Sequence, residues 1–331
     1  MSFLTNTSVS LDSIKEPVRD ELKGFDRFFR DAMRSKVGLV DIIARYIIRQ
    51  KGKRVRPLLV LLSAKACGTI NESTYRGATL VEILHTATLV HDDVVDDADT
   101  RRGLASINAV WKNKVAVLMG DYLLSRGLLI ALERGDHYFL HSTSNAVKRM
   151  SEGELLQIQK SRQLNLDEET YLRIIGDKTA SLFSTCTDIG AASVTEDPAR
   201  RNLMKEFGEN VGMAFQIRDD LLDYEGRKSI LGKPTGLDMK EKKLTLPLIH
   251  ALQSGVRKDA KQALRIIKNG AKQKEIDWVV EFVRAAGGIE YAREKAEHFA
   301  NLARHNLGTL TESESKSSLL QFVDFVMERT S

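Results

Sequence analysis

The chain has 331 residues, 42% of them hydrophobic and 29% charged, enough for a sizeable core in one large domain or two small ones. A formal charge of +5 suits an anionic substrate, but aromatics make up only 6% and no basic run is interleaved with them, which argues against nucleic acid as a partner. Two distant cysteines, Cys67 and Cys186, argue against a disulfide framework or a zinc site. The opening "MSFLTNTSVSLDSIKEPVRDEL" lacks a leader pattern and no run reaches about 18 uninterrupted apolar residues, so the expectation is a cytoplasmic protein with no transmembrane segment.

Helical periodicity recurs along most of the chain, and prolines are scarce. "DSIKEPVRDELKGFDRFFRDAM" reads as an amphipathic helix with Pro17 near its first turn. "VGLVDIIARYIIRQKG" reads as a second, stopped near Gly52. "RPLLVLLSAKACG" has Pro57 at its start and Gly68 at its end, the usual helix punctuation. "YRGATLVEILHTATLVHDDVVDDA" and "NKVAVLMGDYLLSRGLLIALERG" are apolar on most faces, which places them at the centre of a bundle. "DEETYLRIIGDKTASLFSTCTDIGAASV" follows, then "DPARRNLMKEFGENVGMAFQIRDDLLDYEG" with Asp197 as N-cap and Pro198 at the first helical position. A turn-rich stretch, "GRKSILGKPTGLDMKEKKLTL", precedes further amphipathic helices. "LTESESKSS" reads as a polar loop before a last helix, "LLQFVDFVMER". No linker divides the chain, so the expected architecture is one all-α domain over residues 1–331, with central helices surrounded by others.

The first cluster of chemistry lies at the end of an apolar run. In "LVHDDVVDDADTRRG", helical spacing puts Asp92 and Asp96 on one face, and Asp93 and Asp97 on a second. A solvated helix end could explain one such cluster. Yet the negative charge sits at the C-terminal end, where the helix dipole disfavours it. The pattern also returns in "FQIRDDLLDYEG" as Asp219, Asp220 and Asp223. Two D-D-x-x-D copies read as facing walls of one site, and carboxylate oxygens suit a hard cation such as Mg²⁺ shared with phosphates and water. Neither cluster fits an EF-hand loop, and the chain has no H-E-x-x-H, Walker lysine loop or G-x-G-x-x-G.

Cations stand nearby in the sequence. Arg101 and Arg102 follow the first cluster. "GKRVRP" carries Lys53, Arg54 and Arg56, "GDKTA" carries Lys178 and Thr179, "GKPTG" carries Lys233, and "EKKLTLP" carries Lys243. Each alone could be a solvated surface charge. As a set, most at helix starts or in loops, they form a polyphosphate clamp. His85 lies two turns before Asp92 on a similar face.

These motifs resemble those of the trans-prenyl diphosphate synthases, the polyprenyl synthetase family. The matching segments are "GKRVRP", "EILHTATLVHDDVVDDADTRRG", "GDKTA", "FQIRDDLLD" and "GKPTGLDMKEKKLTLPLI". They run in family order over a core of about residues 50–250. The resemblance implies an isoprenoid synthase fold with a central active-site cavity, usually a homodimer. It implies that Asp92, Asp96 and Asp219 bind Mg²⁺ bridging to an allylic diphosphate such as farnesyl diphosphate, with Asp93, Asp220 and Asp223 in support. Arg101, Lys178, Lys233 and Lys243 would hold the allylic diphosphate. Lys53, Arg56, His85 and Arg102 would hold isopentenyl diphosphate, and Thr179 and Gln216 would line the reacting centre. One departure is visible: where the family often has E-G-K, this chain has Glu241-Lys242-Lys243, and Lys243 matches by position.

The resemblance also bears on product length. The family's short-chain members carry a bulky aromatic about five residues before the first aspartate, where this chain has Ala87. Counting back from Asp92, Thr88 and Ala87, then Leu84, then Val81 should face the pocket. At about 5.4 Å per helical turn, each turn adds room for an isoprene unit, and the expected product is a long all-trans chain, roughly C30 to C50. Alternatively, Ala87 is ordinary packing and the floor comes from a neighbouring helix such as Met119 to Leu132. Two other functions fit parts of the pattern: a terpene cyclase, and a non-catalytic partner subunit of a prenyl synthase. The second D-D-x-x-D and "GKRVRP" argue against the first, and the intact aspartates and arginine pair against the second.

Overall fold

Helices that are apolar all round must lie inside other helices, and the chain is arranged accordingly. The computed structural model describes residues 10–50, 52–101, 103–225, 236–270 and 272–329. The chain begins with α1 (Leu11–Lys15), a 3₁₀ turn (Glu16–Val18), α2 (Arg19–Ala32), α3 (Gly38–Arg49), α4 (Val55–Cys67) and α5 (Glu72–Val95). A hairpin of two residues per strand, β1 (Thr100–Arg101) and β2 (Leu104–Ala105), leads to α6 (Ile107–Leu132) and α7 (His137–Gln163). Next come α8 (Glu168–Ile175), a π turn (Gly176–Ala180), α9 (Ser181–Ala192) and α10 (Pro198–Glu225). The chain finishes with α11 (Leu237–Lys240), α12 (Leu246–Ser254), α13 (Arg257–Asn269), α14 (Gln273–Ala285), α15 (Gly288–Leu307) and α16 (Glu314–Met327). The fold is all-α, as expected.

Nine of the 13 residues of α4 and 11 of the 12 of α9 are buried, and these two helices form the centre together with α5 and α10. α10 runs through two apolar cores. Its first half gives Met204, Phe207, Val211 and Ala214 to the larger core, around α4, α5 and α9. Its second half gives Ile217, Leu221 and Tyr224 to a smaller core, shared with α12, α14 and α15. The second aspartate motif therefore rides on a helix held on both sides along its length.

Local signals set most boundaries. Asn71 starts α5 with a capping box that pairs it with Thr74. The Asp197 carboxylate accepts from the Ala199 N–H at 2.9 Å and starts α10 with Pro198 first, as its sequence indicates. Four differences from the sequence reading are seen, three of them with a local physical cause. Pro17, which has no N–H to give, splits the first helix into α1, a 3₁₀ turn and α2. α7 is a 27-residue helix that periodicity does not single out, because it buries only Phe139, Thr143, Ala146 and Gly153. α16 begins inside the expected polar loop, since the Ser313 hydroxyl accepts from the Lys316 N–H at 3.1 Å and caps it there. α6 is kinked at Lys112 (φ 71°), and it is long and apolar enough by length and composition to cross a membrane.

α6 lies directly on α5. A Cβ at Gly120 would stand 2.2 Å from His91 Nε2, so glycine here lets the His91 ring lie against α6. The outward face of α6 leaves Val110, Val117, Leu118, Leu129 and Leu132 exposed.

Candidate active site

α5 ends at Val95, and the aspartates after it leave the helix. The Asp96 N–H still donates to the Asp92 carbonyl at 2.8 Å, which keeps these two residues on one side. Asp97 adopts φ 49°, so the expected helical pairing of Asp93 with Asp97 is not formed: the helix has already ended. Asp92 and Asp96 line an open groove of about 1750 Å³, together with Glu154 and Gln157 from α7, Lys178 and Lys243. Burial, then the charge of Glu154, pushes the Asp92 carboxyl above the usual range, and Lys178 opposes the shift. Asp93 is turned elsewhere. It is buried and accepts from Arg101 Nε at 2.8 Å and Nη2 at 2.5 Å. This pair lines a separate cavity of about 30 Å³ with Arg54, Glu82 and Thr86.

The second wall is built from α8, the π turn and α10. A Cβ at Gly212 would lie 2.5 Å from Ala180 Cα, so α10 can press against the turn that carries Lys178 and Thr179. Arg149 of α7 fixes that turn. Its Nε donates to Asp177 Oδ1 at 2.7 Å, and its Nη2 to the Gly176 carbonyl at 3.2 Å and Glu209 Oε1 at 2.7 Å. A polar chain then crosses the wall. Thr179 Oγ1 donates to Gln216 Oε1 (2.7 Å), Gln216 Nε2 to Asp220 Oδ1 (2.8 Å), and the Tyr171 hydroxyl to Asp220 Oδ2 (2.7 Å).

These residues line a cavity of about 110 Å³ that also receives Asp238, and that shares Gln157, Lys178 and Lys243 with the groove. Burial, then Asp238, pushes Asp220 up to about 7. Burial, then Asp223, pushes Asp238 up to about 6. Lys178 Nζ lies 2.5 Å from Glu154 Oε2 and donates to Gln157 Oε1 at 3.2 Å, while Lys243 Nζ donates to Glu241 Oε2 at 2.6 Å. Lys242 is exposed, with φ 58°, a left-handed conformation that favours glycine.

The remaining members of the second motif stand apart. Asp219 is half exposed, and its Oδ1 lies 3.5 Å from Arg329 Nη1. Asp223 accepts from the backbone N–H groups of Gly236, Leu237 and Asp238 at 3.0–3.2 Å and ties that segment to α10. Among the described residues, no three acidic, thiol or imidazole side chains are gathered closely enough to hold a metal ion. The donor chemistry nevertheless fits a hard divalent cation. Asp92, Asp220 and Asp238 are carboxylates driven toward protonation by burial and by neighbouring acids (Glu154 and Asp96; Asp238 and Asp219; Asp223, Glu241 and Asp219), the imbalance that such a cation relieves.

The other expected site residues are placed as follows. Lys53 is exposed and Arg56 half buried, just before and within the start of α4. His85 is buried and lines a cavity of about 10 Å³ with Leu84, Thr88, Thr143, Ala146, Val147, Met150 and Leu182. Leu84 and Thr88 thus face α7 and α9, and Leu84 also reaches α6, where a Cβ at Gly127 would lie 3.4 Å from its Cδ2. Ala87 and Val81 are buried in the core and do not line it. Arg102 and Lys233 lie outside the described residues. Glu154, Gln157, Tyr171 and Asp238 line the site without being singled out by the sequence reading. Of these four, only Asp238 carried a usable signal, since it sits between the two basic segments "GKPTG" and "EKKLTLP". Burial pushes the Cys67 thiol to about 11 and Cys186 to about 12, so neither provides a thiolate.

The family model described as polyprenyl synthetase matches residues 38–283. The all-trans-nonaprenyl-diphosphate synthase (geranyl-diphosphate specific) of Rhodobacter capsulatus is 36% identical over 317 residues, 96% of this chain and 97% of that one. The octaprenyl diphosphate synthase of Escherichia coli K12 is 34% identical over 321 residues, 97% of this chain and 99% of that one. Among solved structures, a polyprenyl synthase from Caulobacter crescentus CB15, complexed with calcium and isoprenyl diphosphate, superposes with a TM-score of 0.89 at 33% identity, covering 98% of this chain and 100% of that one.

Proposed function

The chain belongs to the polyprenyl synthetase family and is a prenyltransferase, and on that premise we propose that it joins isopentenyl diphosphate head-to-tail to an allylic diphosphate, releasing diphosphate and building a long all-trans chain. The observation that carries this reading is the continuity of the groove holding Asp92 and Asp96 with the cavity holding Asp220 and Asp238, through Lys178 and Lys243.

Asp92, Asp96 and Asp219 would hold Mg²⁺, which when bound supplies positive charge to the departing diphosphate. Lys178, Lys243, Lys233 and Arg101 grip the same diphosphate, and their charge is worth most as the allylic C–O bond breaks and the negative charge builds up. Lys53, Arg56, His85 and Arg102 hold isopentenyl diphosphate so that its double bond meets the allylic cation. Thr179 and Gln216, locked to each other and to Asp220, border the reacting centre. Asp93 holds Arg101 in place, and Asp223 fixes the segment that carries Asp238 and Lys243. Leu84 and Thr88, with Ala87 beside them, guide the growing chain between α5, α7 and α9. The absence of a bulky aromatic at Leu84, Ala87 and Thr88 supports a long product, roughly C30 to C50, since each turn of helix left open adds room for about one isoprene unit. The whole chain acts as one domain in the cytoplasm, and the exposed apolar face of α6 pairs it as a homodimer.

The test is incubation of the purified protein with Mg²⁺, farnesyl diphosphate and labelled isopentenyl diphosphate, with the dephosphorylated products separated by length. A ladder ending at one long prenol supports the reading. Consumption of the allylic substrate without incorporation of label would replace it with a cyclase. No turnover with any primer from dimethylallyl to geranylgeranyl diphosphate would make the chain a partner subunit.

A further inference from the structure

Arg54 belongs to the basic loop before α4, yet its side chain does not face the groove or the cavity described above. It lines the small space behind the first aspartate motif, and its backbone is left-handed at φ 55°. A non-glycine residue keeps that conformation only where its surroundings dictate it. Here the guanidinium does so. Nη1 lies 3.2 Å from Glu82 Oε1 on α5, and Nη2 lies 3.7 Å from Asp26 Oδ1 on α2. The plane also sits over Phe29, 4.9 Å from the ring centroid, and within 5.7 Å of Phe25. Glu82 is buried, so this ion pair is shielded from solvent, whereas Asp26 is half exposed and adds little.

The loop is therefore bolted from behind. Lys53 and Arg56 flank Arg54 in sequence, and its anchor on α5 sets where both begin. We propose that Arg54 is a positioning residue: through Glu82 and the Phe25–Phe29 pair it holds the entry to α4, residues 52–56, in the register that lets Lys53 and Arg56 receive isopentenyl diphosphate. This rests on the assignment of those two residues to that substrate. Arg54 itself touches neither substrate. Its loss acts first on the substrate assigned to Lys53 and Arg56, and because Arg54 shares its cavity with Asp93 and Arg101, the allylic substrate is the control.

The experiment compares Arg54→Ala, Arg54→Lys, Glu82→Gln and Lys53→Ala in the full chain, by steady-state kinetics with each substrate varied in turn and by thermal melting. Arg54→Ala is expected to raise KM for isopentenyl diphosphate about tenfold while KM for farnesyl diphosphate stays within about twofold. Glu82→Gln, which keeps the fold's shape, should give the same split. Arg54→Lys, with charge but no planar fork to stack and pair, should recover only part of it. If Lys53→Ala raises KM for isopentenyl diphosphate while Arg54→Ala and Glu82→Gln do not, the positioning role is wrong. If Arg54→Ala and Glu82→Gln raise both KM values together with a fall in melting temperature, Arg54 is only a structural support. If Lys53→Ala leaves that KM unchanged, the assignment of the loop to isopentenyl diphosphate fails, and the role of Arg54 falls with it.

Discussion

Asp220→Asn tests how the second wall is charged. Asp220 is buried and accepts from Tyr171 and Gln216. Asparagine keeps both links, one by accepting from Gln216 and one by donating to the Tyr171 oxygen, so the substitution removes charge and little else. The folded carboxyl titrates at about 7, against the ordinary 3.8. A raised folded value means that the native state binds the proton more tightly than the unfolded chain. Stability therefore falls as pH rises from about 4 to about 7, and levels off above. In metal-free protein the burden is about 2 kcal/mol at pH 5 and about 4 kcal/mol at pH 8. For 331 residues the unfolding entropy is on the order of 0.7 kcal/mol/K. The wild type should then lose roughly 4 °C relative to the variant between pH 5 and pH 8, in melts followed by circular dichroism in the presence of chelator. A variant that melts in parallel with wild type at both pH values would refute the view that the wall is charge-strained.

Other outcomes follow from the same geometry. Lys242→Gly should stabilise the chain by about 0.5–1 kcal/mol in urea unfolding, because glycine accepts the left-handed backbone at φ 58° freely and that relief exceeds the freedom it returns to the unfolded chain. Arg149→Met breaks the pairs with Asp177 and Glu209 and should lower stability by about 3 kcal/mol, discounted from a fully buried pair because Arg149 keeps 28% of its side chain exposed; a urea midpoint shift measures it. Thr88→Phe places a ring between α5, α7 and α9 and should shorten the longest prenol resolved by chromatography. Ala87→Tyr, which puts a ring into packed core beside that cavity, should instead lower the urea midpoint and leave the longest prenol unchanged.

The chemistry was more legible than the scaffold around it. Asp92, Asp96 and Asp220 announce themselves because carboxylates at helical spacing in apolar runs have few structural uses. Glu154 and Gln157 do not, because α7 is largely solvent-facing and one more acid on a polar helix looks like any other. Asp97 shows the limit of periodicity: spacing assigns it to a helix face, but the helix ends two residues earlier. The distinction between Asp92, facing the groove, and Asp93, held by Arg101, comes from rotation about the helix axis and is fixed only by packing. Lys243 over Lys242 is legible once the backbone is known, since the exposed, left-handed position is the one the family often fills with glycine.

The π turn between α8 and α9 also has a consequence for how the chain can change. A helix repeats every 3.6 residues, so one additional residue advances everything beyond it by about 100°. Upstream, Tyr171 packs into the smaller core, while downstream Phe183 and Cys186 pack into the larger one on a helix buried on nearly every face, so the turn sets the rotation between two fixed rods. Deleting a single residue from 176–180 would therefore act as a rotation of one rod against the other, while a substitution there would not. Insertions and deletions, harmless in the loops at either end of the molecule, should be excluded from this one helix interior.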